Sequence, residues 1–154
     1  MRRHLLAICL FLTLAGSVAA KNSADLLYVS YGVATAFNLD TNKIGAGHLF
    51  GLGLVLTDSL EADFVHVMGD NANLRSYNLL RLNLYVKDKV GFGLAMGSEN
   101  TSNLVTGLAL FFDLFANKKL GIATVFQLRL EYLITRSVNT TGTAVVGITA
   151  KLGI

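Results

Sequence analysis

Seven polar side chains carry most of the chemistry this sequence can offer: Arg81, Asn83, Asp113, Gln127, Arg129, Glu131 and Lys151. Most alternate with large apolar residues, as in Leu80-Arg81-Leu82-Asn83-Leu84 and Leu128-Arg129-Leu130-Glu131-Tyr132. Cations and carboxylates gathered on one face of a low-polarity wall have two uses. They neutralise one another in a hydrogen-bonded network, because an unpaired charge away from water is costly. Alternatively they line a narrow solute path, in which Arg81 and Arg129 would favour anions. Arg81 and Glu131 are the expected pair across the space these residues share.

A second constellation is His48 and His66 with the loop serines Ser76 and Ser98. Acyl transfer needs a serine in reach of a histidine that a carboxylate orients. No His-x-Ser spacing or acidic orienter is present, so the histidines are assigned to packing at a rim or in an interior, and no enzyme is expected. The single cysteine, Cys9, lies in the N-terminal apolar run, which leaves no thiol nucleophile and no cysteine metal site beyond it. No metal and no cofactor are expected.

The elements that position these residues begin after residue 20. Met1-Arg2-Arg3-His4 is a positive start, Leu5 to Leu14 an apolar run too short to span a bilayer, and Val18-Ala19-Ala20 a small-residue cleavage site. Residues 1–20 therefore read as a cleaved signal peptide and 21–154 as one exported domain. Without Arg2 and Arg3 the 13 basic residues become 11 against 10 acidic ones, a net charge of +1, which is no footprint for nucleic acid. Only 15% of residues are charged and 53% are apolar, with mean hydropathy +0.53. A soluble domain usually carries about 25% charged residues.

No stretch beyond the leader offers about 18 consecutive apolar residues, so helical spans are excluded. The apolar residues alternate instead: Leu80, Leu82, Leu84 and Val86; Phe92, Leu94 and Met96; and a third row from Leu120 to Ile134. A period of two predicts strands, and the interruptions mark eight: 26–38, 47–57, 62–70, 74–86, 90–98, 103–115, 120–136 and 142–153. Connections 38–47, 70–76, 98–103 and 137–142 carry Asn and Gly. Those at 58–61, 87–89 and 117–119 are charged and mostly tighter.

Alternation alone fits a soluble ligand carrier as well as a membrane barrel. The intervening residues decide the facing: Gly91, Gly93, Ala95 and Gly97, then Gly107 and Ala109, then Gly121 and Ala123. A water-facing exterior would carry Lys, Glu and Thr there, whereas small residues suit the crowded interior of an eight-stranded barrel. The large apolar face is then outward, towards lipid. Tyr28, Tyr31, Phe64, Tyr85, Phe92, Phe112 and Phe115 towards the tight turns, and Phe37, Phe50, Tyr77 and Tyr132 towards the Asn-containing loops, are expected as two interfacial girdles.

The leader, the eight alternating segments and the short charged turns together resemble the small outer-membrane barrels of the OmpA/OmpX/OmpW type. The resemblance is one of pattern and covers residues 21–154. Members usually finish on an aromatic residue, where this chain has Ile154. The expected fold is an all-β, eight-stranded, antiparallel up-and-down transmembrane barrel in the outer membrane of a double-membraned bacterium. The expected partners are outer-membrane lipid and lipopolysaccharide, the barrel assembly machinery, and a surface ligand through loops 38–47, 70–76, 98–103 and 137–142. A monomer is expected, with a structural or surface-interaction role. The alternatives are a narrow conduit for small or hydrophobic solutes and a soluble periplasmic carrier of apolar ligands.

Overall fold

In a computed structural model, residues 27–70, 74–100, 102–119, 122–136 and 140–153 are described. The signal-peptide expectation for 1–20, the glycine at 121 and the terminal Ile154 lie outside them. Eight strands follow one another: β1 Leu27–Asn38, β2 Lys43–Thr57, β3 Leu60–Gly69, β4 Tyr77–Lys87, β5 Val90–Glu99, β6 Asn103–Lys119, β7 Ile122–Arg136 and β8 Thr140–Gly153. Each pairs antiparallel with the next, and β8 pairs with β1, so the sheet closes into a barrel without an edge.

The register fixes the tilt. Stepping across the ladders from Tyr31 leads through Phe50, His66, Asn78, Ser98, Leu104 and Arg136 to Thr140. Thr143 pairs with Asn38, so Thr140 is level with position 41 on the line of β1 extended by three residues, and the stagger around the barrel is 41 − 31 = 10 residues. Ten residues of rise spread over eight strand spacings incline the strands by about 40°.

Three register shifts sit at the tight-turn end, between Val55 and Thr57, Tyr85 and Lys87, and Asp113 and Phe115. Each is on the first strand of its hairpin, where an extra residue increases the local twist and bends the strand into its turn.

Several boundaries differ from those expected, most of all the start of β2 and the end of β6. The β1–β2 hairpin is tighter than loop 38–47, because β2 already starts at Lys43, and Asn42 turns the chain at φ 54°. Lys43-Ile44-Gly45-Ala46 lacks the large apolar alternation that marks a strand, yet it pairs fully with Phe37–Asn38 and Thr35–Ala36. Residues 117–119, expected as a turn, extend β6 beyond its bulge instead.

Outside, the wall is apolar: Leu52, Phe64, Leu80, Met96, Leu108, Leu130 and Ile148 are among many exposed large side chains. Inside, the glycines make room for bulk on neighbouring strands. A Cβ at Gly107 would come 2.6 Å from Leu133 Cδ2, and one at Gly147 would come 3.1 Å from Leu49 Cδ1. Gly53 lies under the Tyr28 ring and Gly91 under Phe111. The interior is therefore filled by alternating small and large residues.

Candidate functional site

The interior is layered along the axis. Its loop-side half is an apolar core of Ala34, Ala36, Leu49, Val65, Val67, Tyr77, Leu79, Ala95, Val105, Leu133 and Val145. Leu74 joins them from just before β4, almost wholly buried in the mouth of the barrel. Above this core, Glu99 accepts hydrogen bonds from Arg75 at 3.0 Å and Asn103 at 2.9 Å.

The tight-turn half holds the charge. Arg81 on β4 reaches across the lumen to Glu131 on β7: its Nε donates to Oε1 at 3.1 Å and its Nη2 pairs with Oε2. Arg129 shares the same carboxylate at 3.3 Å and donates at 2.8 Å to Asn83 Oδ1. Asn83 in turn donates to Asp63 at 3.3 Å. A second pair crosses from Lys151 on β8 to Glu61 on β3 at 2.7 Å, where Tyr28 also donates at 3.4 Å. Gln127 donates to Asp113 at 2.9 Å beside the Tyr85 hydroxyl. Phe111 closes the layer, edge-on to Tyr85 and under the Arg129 guanidinium, whose carbon lies 5.7 Å from the ring centroid.

All seven polar residues singled out from sequence, Arg81, Asn83, Asp113, Gln127, Arg129, Glu131 and Lys151, are buried in this layer, and the Arg81–Glu131 pair is formed. Four partners were missed: Glu61, Asp63, Tyr28 and Tyr85. Glu61 had been counted in a turn, although Glu61-Ala62-Asp63-Phe64-Val65 already places both carboxylates in phase with Val65. Glycine at 93 is part of the arrangement too, because a Cβ there would come 2.9 Å from Asn83 Oδ1 and press on the Arg129 guanidinium.

The expected aromatic girdles need correction. Tyr28, Tyr77 and Tyr85 are only 4%, 2% and 2% exposed and face the interior. Parity requires it for one of the pair Tyr28 and Tyr31, since residues three apart on a strand face opposite sides. Tyr31, Phe37, Phe50, Phe92 and Tyr132 are exposed on the outer wall, and Phe112 is half-buried there.

The histidines also face outward, not into the interior. His48 Nδ1 is 3.0 Å from the Tyr31 hydroxyl, and His66 Nδ1 is 2.8 Å from Asn78 Oδ1. Among the described residues neither is bonded to a serine, and Ser76 Oγ instead accepts from Gly69 N at 3.4 Å.

What the charged layer can do follows from its stoichiometry and its space. Four carboxylates and three cations share the layer, and the Arg81–Glu131, Arg129–Asn83 and Lys151–Glu61 links join strands that are not neighbours, so the layer braces the barrel across its width. Among the described residues Arg129 Nε has no hydrogen-bond partner, and the cavity of about 10 Å³ beside it, lined by Leu49, Arg81 and Glu131, has room for about one water.

No protein-family model and no curated protein matches the chain. Among solved structures, one described as "De novo design of transmembrane beta-barrels" aligns with 85% of this chain and 98% of that chain, at 15% identity and a TM-score of 0.49. The topology of the present barrel stands on the register of its own strands.

Proposed function

We propose that this chain is an integral outer-membrane barrel with a sealed lumen, whose role is structural or exercised through the connections between β1 and β2, β3 and β4, β5 and β6, and β7 and β8. The membrane reading is supported by the belt of exposed leucine, phenylalanine, methionine and valine on every strand. Such a wall in water would be an aggregation surface far larger than soluble proteins tolerate. Antiparallel closure leaves no backbone edge for lipid to face.

The observation that carries the sealed-lumen reading is the pair of ion pairs across the interior, Arg81–Glu131 and Lys151–Glu61. The apolar core stacked on that layer supports the same reading, since among the described residues it fills the loop-side half of the interior. A carrier would need its large apolar side chains turned inward. The protein is read as a monomer without catalytic activity, surrounded by lipid and lipopolysaccharide and inserted by the barrel assembly machinery.

Planar-lipid recording tests the sealed lumen. Purified barrel incorporated into a bilayer is expected to give no discrete conductance steps. Reproducible unitary openings, abolished by heat denaturation before incorporation, would replace this reading with the narrow-conduit one.

A further inference from the structure

We propose that His48, His66 and Met68 form a Cu(I)-binding site on the outer wall, close to the loop-side rim. The three come together through register. Met68 lies directly opposite His48 across the β2–β3 ladder, and His66 is two residues earlier on β3, diagonal to His48. Directly opposed side chains have their Cβ atoms about 5 Å apart, and diagonal neighbours sit at roughly 7–8 Å, within reach of long side chains. His48 and Met68 are exposed and His66 is half-buried, all on the outward face. His66 is three residues from the end of β3 at Gly69, which places the group near the rim.

The two rings are held in the manner of metal ligands. Each imidazole has its Nδ1 fixed by a neighbour, Tyr31 for His48 and Asn78 for His66, and neither Nε2 has a hydrogen-bond partner among the described residues. A hydrogen bond at one ring nitrogen is what orients the other towards a metal. On an apolar wall, a bare imidazole nitrogen is otherwise an uncompensated cost.

The donor set selects the ion. Two imidazole nitrogens and a thioether suit Cu(I), whereas zinc sites are built from thiolate, imidazole and carboxylate. Among the described residues no three His, Cys, Asp or Glu side chains converge, so the thioether is what completes the set. An open depression of about 620 Å³ lined in part by His48 and Met68 leaves those two donors accessible, and His66 beside it is half-buried.

The test is anaerobic titration of the detergent-folded full barrel against a chromogenic Cu(I) chelator, which does not depend on what surrounds the wall in the cell. The wild type is expected to withdraw one Cu(I) per chain. His48→Ala and His66→Ala are each expected to weaken it by at least roughly 100-fold, and Asn78→Ala, which only orients, by about 10-fold. Met68→Leu is expected to weaken Cu(I) while leaving any Zn(II) binding unchanged. All these side chains face outward, so heat-modifiable gel migration of the variants checks that the barrel still closes. No withdrawal by the wild type, or equal withdrawal by the folded His48→Ala/His66→Ala double variant, would overturn the proposal. So would Zn(II) displacing Cu(I) at equal concentration.

Discussion

Replacing Arg81 by alanine is expected to destabilise the barrel by about 3–5 kcal/mol, because it strands the Glu131 carboxylate in a water-poor interior with only Arg129 at 3.3 Å. The magnitude discriminates between a sealed and a wetted lumen. In a water-filled channel the same pair would contribute about 0–1 kcal/mol, and salt would screen it. The measurement is the urea midpoint of reversible folding into lipid vesicles, read by gel mobility at low and high ionic strength. A loss under about 1 kcal/mol that disappears in salt would mean that water reaches the pair.

Leu94→Arg is expected to cost about 2–4 kcal/mol in the same assay, since on the proposed membrane reading it places a charge at the midplane of a lipid-facing wall. Leu94 is at the centre of β5, the strand from Val90 to Glu99, and is 39% exposed between Leu82 and Leu108. The matching change at the rim, Phe37→Arg, one residue from the end of β1, is expected to cost about 0–1 kcal/mol. A wall facing water would give no such depth gradient, with surface substitutions staying within about 0.5 kcal/mol at both positions. Equal small losses at Leu94 and Phe37 would therefore remove lipid as the solvent of this face.

How much of this was legible in the sequence depended on whether one residue or a pairing carried the information. The β4–β5 hairpin was plain, because Leu80, Leu82 and Val86 and then Phe92, Leu94 and Met96 alternate without interruption around Asp88-Lys89. The start of β2 was not, since Lys43 to Gly47 has one large apolar residue and is held by its ladder to β1. The β6 bulge leaves both Leu114 and Phe115 exposed, which breaks the alternation and made the strand's last residues resemble a turn.

The charged layer was half legible. Parity alone placed Arg81, Asn83, Arg129 and Glu131 on one face, and the cross-lumen partner of Arg81 follows from charge. The Lys151–Glu61 link did not, because it depends on a stagger of the closed sheet that no local pattern encodes. The tyrosines misled for a related reason. Tyr28, Tyr77 and Tyr85 look like interfacial residues by type, but their strand phase sends them inward, where Tyr28 and Tyr85 reach Glu61 and Asp113. The same dependence on register hid the meeting of His48 with Met68.

The most direct test of the central claim, a closed barrel with its apolar face in lipid, is fractionation of the native host followed by gel migration of the extracted protein with and without heating. Recovery in the outer-membrane fraction, with an unheated band that shifts on boiling, is the predicted result. Recovery in the soluble periplasm, with identical migration before and after heating, would contradict it.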